Sequence, residues 1–219
     1  MSSRPELKLA WCSYNAAKYA VEHWHYSRCM PVGKLILVGV WERELFIGAI
    51  MYGRGATPNL GKPYGLKQTE CVELVRIALK SHHNPVSRML AFAGKMVANH
   101  NPGLRLVVSF ADASQGHHGG IYQAANWVYC GSTSKSKEYW HKGRRLHSRQ
   151  VSEKGWNIQQ GQQRKTLRPS ECKIIHTPGK YRYLLPLDPE MRKQIAPLSK
   201  PYPKRDKQAM SATSATAAV

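Results

Sequence analysis

Acidic side chains are scarce in this sequence. It holds 13 Asp and Glu against 33 Lys and Arg, a formal net charge of +20, and its isoelectric point lies near 10.0. A field of this size attracts polyanions, so the imbalance favours nucleic acid as the main partner. An anionic membrane would require a basic amphipathic helix, which the sequence does not show, and solubility alone rarely needs such one-sided charge.

Long apolar runs are absent as well. No run approaches the roughly 18 residues of a membrane span, and residues 1–6 lack the apolar core of a signal peptide. These absences predict a cytoplasmic location and no membrane partner. With 219 residues and 42% hydrophobic content, the chain is long enough to bury the core of one good-sized domain.

Several spacings that mark known kinds of site are also missing. The five cysteines contain no C-x-x-C pair, which argues against a disulfide framework and a structural zinc site. G-x-S-x-G, Walker A and G-x-G-x-x-G motifs are absent too. Metal binding stays open, because several histidines could converge with Asp112, although none has H-E-x-x-H spacing. These histidines are His23, His25, His82, His83, His117 and His118.

The apolar pattern switches between helical and strand periods and predicts a mixed sheet with helices, an α/β (α+β) fold. The strand at 71–79 carries Glu73 and Arg76, which form either a cross-strand ion pair or polar groups aimed into a pocket. A second hairpin, of 173–176 and 181–186, is predicted to complete the sheet. The earlier elements are a helix at 13–24, a hairpin of 35–41 and 45–51, the strand at 71–79, a helix at 84–99 capped by Asn84, a strand at 104–110, a helical turn at 122–126 and a strand at 127–130.

Composition also suggests how the chain is divided. Residues 1–12 are predicted to be an N-terminal extension, and residues 13–197 a single domain. Within that domain, a basic DNA-binding insertion is predicted at about 132–170. Residues 198–219 combine lysine and arginine with a Ser/Ala/Thr end, which predicts a basic, flexible tail.

The stretch most typical of an active site spans residues 109–127. The apolar run 104–108 leads towards Asp112, and a turn rich in glycine and histidine then opens a short helix with Tyr122. In open α/β sheets, ligands bind beyond the carboxyl ends of the strands. We therefore predict that Asp112 or a histidine accepts a proton from an attacking amine, with Tyr122 as acid or orienting hydroxyl. The structural alternative is that Asp112 caps a turn and Tyr122 packs on the sheet.

From residue 132 onwards the sequence interleaves cations with aromatic residues. Cations hold phosphates, and aromatic rings offer flat faces on which an unstacked base can rest. The mixture therefore predicts a nucleic-acid surface rather than a merely solvated run of charge. Its candidate DNA-binding residues are Lys135, Lys137, Tyr139, Trp140, Arg144, Arg145, His147 and Arg149.

Several segments together resemble the bacteriophage Mom family, whose members relate to the GCN5-like N-acetyltransferase fold. The resemblance extends from about Val21 to Leu187, so that only the termini fall outside it. The strand and helix pattern alone would support no more than the fold, whereas the motifs together are specific. They are residues 25–28, 73–79, 108–112, 119–127 and 143–149.

The resemblance implies a GCN5-like mixed sheet flanked by helices and an activity on phage DNA. Mom proteins convert adenine to its N6-carbamoylmethyl derivative, which shields the genome from host restriction enzymes. Double-stranded DNA and the host cytoplasm are then the implied partner and location, and the target adenine must be flipped out of the duplex. The residues implied as catalytic are Asp112, Tyr122, His25 and Tyr26, with Asp112 and Tyr122 also as metal-linked positions.

The donor and the cofactor are less defined. The resemblance implies iron as a possible metal and a donor that is an unknown small molecule or carrier. Acetyltransferases of this fold bind the acyl-CoA pyrophosphate with a Q/R-x-x-G-x-G/A loop, but residues 81–88 lack those glycines. The helix N-terminus with Asn84, Ser87 and Arg88 could still hold an anion.

Two other functions remain open from the sequence. One is an acyl-CoA-dependent N-acetyltransferase acting on a nucleic-acid base or a basic protein. The other is a non-catalytic DNA-binding protein on the same scaffold, since a fold does not fix a function.

Overall fold

The computed structural model of the protein describes residues 5–55, 57–146, 150–159 and 161–204. They form two compact units, the first from the described parts of 1–111, 117–131 and 181–219, and the second from 112–116 and 132–180. No helix among the described residues is long and apolar enough to span a membrane.

The chain contains twelve strands and four α-helices within the described ranges. The helices are α1 (Tyr14–Trp24), α2 (Val86–His100), α3 (Gly120–Ala124) and α4 (Pro189–Ile195). The strands are β1 (Leu7–Trp11), β2 (Leu35–Glu42), β3 (Leu45–Gly53), β4 (Cys71–Leu79), β5 (Leu106–Ala111), β6 (Val128–Ser132), β7 (Ser136–His141), β8 (Arg144–Leu146), β9 (Trp156–Gln159), β10 (Gln162–Lys165), β11 (Lys173–Thr177) and β12 (Tyr181–Pro186).

The first unit is built on a seven-stranded sheet in the order β1-β2-β3-β4-β5-β12-β6. Its strands pair antiparallel from β1 to β4 and between β5 and β12, whereas β4 and β5 are parallel. The predicted mixed sheet flanked by helices is therefore confirmed.

The two faces of this sheet bury different helices, as the two-residue period of a strand requires. On β3, Ile50 and Tyr52 belong to the core that contains the buried residues of α2. Ala49 and Met51 point the other way and pack with α1. Helix α1 begins where the sequence predicts, with Ser13 as its N-cap accepting the Ala16 N–H at 3.2 Å.

The central strands part halfway along their length. The parallel ladder pairs Cys71–Leu74 with Leu106–Ser109 and ends at the pair of Leu74 and Ser109. Beyond that pair, β4 continues along β3 and β5 continues along β12. A β-bulge in β4 sits at the same point, because Leu74 faces Tyr52 and Arg76 faces Met51, leaving Val75 as the extra residue. A bulge bends its strand and re-aims side chains, so it helps to open this place for a ligand.

The second unit contains the basic segment that the sequence predicts as an insertion at 132–170, and it extends to residue 180. It holds a three-stranded sheet in the order β11-β7-β8 and a two-stranded ribbon of β9 and β10.

The predicted hairpin of 173–176 and 181–186 is wrong. The strands exist, but β11 pairs with β7 in the second unit and β12 pairs with β5 in the first. Residues 177–180 are held instead by Thr133, whose N–H donates to the Lys180 carbonyl at 2.9 Å and whose Oγ1 accepts the Lys180 N–H at 2.9 Å. Long-range pairs thus replace the local turn on which the prediction relied.

Both predicted ends of the domain also differ. Within the supposed extension 1–12, β1 pairs with β2 along its full length and joins the sheet. In the supposed tail, the Tyr202 hydroxyl donates to the Trp127 carbonyl at 2.8 Å, and the Pro203 carbonyl accepts from Gln123 Nε2 at 3.2 Å. The remaining tail residues, 205–219, lie outside the described residues.

Candidate active site

The hydroxyl of Ser109 makes two hydrogen bonds at the point where β4 and β5 separate. Its Oγ lies 3.0 Å from the Leu74 carbonyl oxygen and 2.8 Å from the Tyr122 hydroxyl. A carbonyl can only accept, so Ser109 donates to Leu74 and the Tyr122 hydroxyl donates to Ser109. This buried chain of hydrogen bonds joins α3 to both central strands.

Tyr122 forms part of the floor beneath this place. Its ring packs 5.0 Å from the rings of both Trp127 and Tyr183. Burial raises the pKa of the Tyr122 hydroxyl to about 12. The phenol therefore stays protonated at physiological pH, and a catalytic role for Tyr122 stays a prediction.

His25 ends helix α1 with its backbone extended. The backbone N–H of Ser27 donates to its Nδ1 at 3.1 Å, and the Ser27 hydroxyl lies 2.8 Å from the same atom. Because an N–H can only donate, Nδ1 carries the lone pair, and in the neutral ring the proton is on Nε2.

The pKa of His25 is lowered to about 4, first by burial and then by the positive charges of Arg76 and His117. The ring is therefore neutral at physiological pH. A neutral imidazole whose Nδ1 is already occupied presents an N–H donor at Nε2. His25 is thus suited to bind a carbonyl oxygen of a substrate rather than to accept a proton.

Tyr26 and His117 complete a cluster of rings around His25. The rings of His25 and Tyr26 lie 4.3 Å apart, and those of Tyr26 and His117 5.9 Å apart. Tyr26 is 54% exposed, so part of its ring is open to a partner. His25 and Tyr26 are two of the residues that the resemblance implies as catalytic, and their rings are in contact in the structure.

Arg76 and His117 are residues that the sequence reasoning undervalued. Arg76 lies two residues beyond the last β4–β5 pair, donates from Nη1 to the Val75 carbonyl at 2.8 Å, and has a buried Nε without a hydrogen-bond partner among the described residues. A cation inside an apolar strand was the signal for it. His117 was predicted only as one of several histidines that could converge with Asp112 on a metal.

Asp112 belongs to the second unit and is described with it. It is the N-cap of a short 3-10 helix, Ala113–Gln115. Its Oδ1 accepts the Ser114 N–H at 3.0 Å and the Ser114 hydroxyl at 2.6 Å, while Oδ2 lies 3.8 Å from Lys180 Nζ. The structural alternative, a capped turn, therefore describes these contacts, and a catalytic role for Asp112 stays a prediction.

The residues predicted as metal-linked do not fit an iron ion. The Tyr122 phenol is neutral and hydrogen-bonded to Ser109, and the Asp112 carboxylate contacts Ser114 and Lys180. Within the described ranges, no three His, Cys, Asp or Glu side chains are placed to share a metal.

The connection that leads into α2, next to the place where an acetyltransferase would bind the acyl-CoA pyrophosphate, binds the carboxylate of Glu42. Glu42 accepts the N–H groups of His83 at 3.0 and 3.1 Å and of Asn84 at 2.6 Å, together with Asn84 Nδ2 at 2.9 Å. Burial alone would raise the pKa of the Glu42 carboxyl, but these hydrogen bonds outweigh it and lower the pKa. Glu42 is therefore an internal anion at this site.

The three residues predicted to hold a cofactor anion follow the same connection. Asn84 is buried, and its Oδ1 accepts Arg88 Nη1 at 2.7 Å. The N-cap of α2 is Pro85, which makes no side-chain cap bond, so the predicted Asn84 cap is wrong. Asn84 turns back to Glu42 instead, and Arg88 stacks 5.6 Å from the Phe92 ring. Ser87 is half-buried within the first turn.

One face of the β11-β7-β8 sheet in the second unit carries Lys137, Tyr139 and Arg144. Residues directly opposite one another share a face, and Tyr139 faces Ile174 and Leu146. On the same side, Lys137 pairs with His176, and His141 pairs with Arg144. The other face carries Glu138, Trp140 and Lys173.

The described side chains of the Tyr139 face include no Asp or Glu. This face therefore combines cations with an aromatic ring, as the sequence predicts for a nucleic-acid surface, and its cations are Lys137 and Arg144. Lys135 is exposed just before β7, while His147 and Arg149 lie outside the described residues, as does the side chain of Arg145.

Comparison with known proteins gives matches over almost the whole chain. Residues 6–204 match the model of the Mom protein family. The chain is 30% identical over 208 residues to the methylcarbamoylase mom of Escherichia phage Mu, and the match covers 91% of this chain and 84% of that protein. Among solved structures, it is similar to FeeM, an N-acyl amino acid synthase from uncultured soil microbes, at 13% identity and a TM-score of 0.47, covering 87% and 94% of the two chains.

Replacing Glu42 should destabilise the protein without touching the ring cluster. Glu42→Ala leaves buried donors of His83 and Asn84 unsatisfied, and we expect a loss of about 2–4 kcal/mol in the free energy of unfolding. Glu42→Gln keeps one acceptor and should lose about half as much. Denaturant unfolding measures both, and Glu22→Ala, on the exposed side of α1, is the control, with a change of about 0.5 kcal/mol or less.

The stabilisation by Glu42 should also depend on pH in a defined direction. Because its pKa is lowered in the folded state, its contribution is complete above the ordinary value of 4.5 and is lost as the pH falls through the folded value. The difference between wild type and Glu42→Gln should therefore shrink in acid. A difference that grows below pH 4.5 would contradict this assignment.

Proposed function

The chain belongs to the Mom protein family, and from this premise we propose that it is a phage DNA-modification enzyme that converts adenine to N6-carbamoylmethyladenine and so protects phage DNA from host restriction. The observation that carries the proposal is the cluster of rings formed by the neutral His25 with Tyr26 and His117. Arg76, whose charge acts on His25, lies on β4 two residues beyond the last β4–β5 pair. The enzyme would act in the cytoplasm of the host cell, where the phage DNA is.

The proposed reaction forms a bond between adenine N6 and the methylene carbon of the transferred group. The N6 amine loses a proton, and the donor loses its leaving group. His25 Nε2–H and the Arg76 guanidinium suit the carbamoyl oxygen, because hydrogen bonds to this acceptor hold the neighbouring methylene carbon in position for attack. Asp112 is the proposed acceptor of the N6 proton. The donor is a small molecule or carrier that these residues do not define.

The target base has to leave the duplex, because N6 is inside the stack. An extruded adenine needs an aromatic face, and Tyr26 with 54% exposure and Trp156 with 37% exposure offer theirs. Trp140 is a poorer platform, since its indole N–H is buried without a hydrogen-bond partner in the described part of the chain.

An acyl-CoA-dependent acetyltransferase is the less supported enzyme. Its pyrophosphate would need the backbone N–H groups that lead into α2, and the Glu42 carboxylate already accepts those of His83 and Asn84. A second anion beside a buried carboxylate would be repelled. A thiol-release assay with acetyl-CoA separates this activity from the proposed one.

Asp112→Asn should abolish modification while leaving DNA binding intact. Removing a proton acceptor costs about 10²- to 10⁴-fold in rate. Nucleoside mass spectrometry on DNA from cells expressing the chain measures the modified adenine, with Glu44→Gln, in the exposed β2–β3 turn, as the matched control. Full modification by the Asp112→Asn variant would remove Asp112 from the site, and unmodified DNA with wild type would refute the proposed function.

His25→Gln should retain far more activity than His25→Leu. A glutamine side chain can place an N–H donor near the former Nε2, whereas leucine offers none, and a substrate misplaced by about 1 Å reacts about 10²-fold more slowly. The same mass spectrometry compares the two variants at equal expression. An NMR titration should give the wild-type His25 ring a midpoint near its pKa of about 4. Equal activity of the two variants would exclude the donor role.

The Tyr139 face of the second unit should determine the salt dependence of DNA binding. Each phosphate contact removed lowers the slope of log K against log salt by about 0.9. The double variant Lys137→Ala/Arg144→Ala should therefore bind duplexes of every sequence more weakly and with a slope about 2 units smaller. Lys173→Ala, on the Trp140 face, is the matched control. An unchanged slope in the double variant would remove this face from the DNA surface.

A further inference from the structure

The ribbon of β9 and β10 is unlike the rest of the basic segment. It consists of four cross-strand pairs, in which Trp156 faces Lys165, Asn157 faces Arg164, Ile158 faces Gln163 and Gln159 faces Gln162. No third strand pairs with it in the described part of the second unit. The ribbon therefore remains a two-stranded sheet in the described part of this unit.

Most of the described side chains of the ribbon are exposed, although few of them are charged. All four residues of β10 are exposed, and Ile158 on β9 is 68% exposed. The sequence from 156 to 165 contains one asparagine, four glutamines, one arginine and one lysine, but no acidic residue. An exposed strand built for solubility would carry more charge, so this concentration of amides calls for a ligand with both donors and acceptors.

A two-stranded β-ribbon fits the major groove of duplex DNA, which is about 12 Å wide. The cations on the ribbon match the charge of the phosphates on either side of the groove. Arg164 and Lys165 lie on β10, and Lys154 stands 5.3 Å from the Trp156 ring at the base of the ribbon. The edges of the bases in this groove present donors and acceptors in a pattern that differs between base pairs.

The pair of Ile158 and Gln163 matches one base pair in particular. An A·T pair shows the N7 acceptor and the N6 amino donor of adenine beside the methyl group of thymine. A glutamine amide binds N6 and N7 together, and an apolar side chain contacts the methyl group. Side chains directly opposite on antiparallel strands have Cβ atoms about 4.5–5.5 Å apart, so Ile158 and Gln163 can address the two bases of one pair.

We propose that the β9–β10 ribbon enters the major groove and reads an A·T pair near the target adenine, with Gln163 on the adenine and Ile158 on the thymine methyl. The ribbon thereby selects the sequence in which modification occurs. This inference rests on the proposed function, since it assumes duplex DNA as the substrate.

The test is a selection from a randomised duplex library with the full-length chain. Wild type should enrich a motif with a fixed A·T pair, preferred by about 5- to 150-fold over the other pairs at that position. Gln163→Met has nearly the same shape without hydrogen-bonding groups, and it should lose the preference at that position alone. Because it removes no charge, its salt slope should match that of wild type. Gln68→Ala, an exposed amide outside the ribbon, is the matched control and should keep the whole motif.

A change in the DNA tests the contact of Ile158 with the thymine methyl group, independently of the Gln163 variant. Uracil in place of the thymine of that pair removes only the methyl group, and wild type should then bind severalfold more weakly. Ile158→Ala should bind the thymine and uracil duplexes equally. Equal binding by wild type as well would overturn the assignment of Ile158.

The outcomes of these experiments distinguish a failure of the ribbon proposal from a failure of the proposed function. Modification in cells without any preference for neighbouring bases would overturn the ribbon proposal and leave the proposed function intact. The same holds if Gln163→Met enriches the wild-type motif, as it would if the ribbon docks a protein. Failure of wild type to bind any duplex would overturn both.

Discussion

The site of the first unit depends on one hydroxyl. At the last pair of the β4–β5 ladder, Ser109 hydrogen-bonds to the Leu74 carbonyl of the neighbouring strand and receives the buried Tyr122. Buried polar groups are costly unless they are paired, so this chain of bonds fixes where the two strands can separate without loss. Arg76 follows on β4, two residues beyond the last pair of the ladder.

Positive charge has two separate effects in this protein. Over the whole chain it draws DNA to the surface, whereas next to His25 the charges of Arg76 and His117 add to burial and keep the imidazole neutral. A protonated His25 would be repelled by Arg76, whereas a neutral one can lie beside this cation and still donate from Nε2. The same basic character that favours a polyanionic substrate therefore also sets the chemistry of a single ring.

Local patterns allowed much of the fold to be predicted, and contacts between distant residues account for what could not be. The period of α1 and its Ser13 cap, the β2–β3 hairpin and the strand carrying Glu73 and Arg76 are encoded within a few residues each. Glu42 contacts Asn84, which lies 42 positions further along the chain, and no local sequence pattern predicts this contact. The hairpin prediction for 173–186 failed for the same reason, since each of its strands found a distant partner. In the site, His25 and Tyr26 came from a resemblance, while the ribbon amides carry neither charge nor an apolar period and gave no signal.

Affinity and choice of sequence make different demands on a DNA-modifying enzyme. In the proposed function, cations on the Tyr139 face would contact phosphates, which are the same in every sequence, and salt would screen these contacts. An enzyme that relied on them alone would modify adenines wherever it landed. Discrimination requires groups whose hydrogen bonds are satisfied by one base pair and left unpaired by another, because an unpaired buried amide is costly. Neutral amides on an uncovered ribbon meet that demand, and the protein places them in the same compact unit as its basic face.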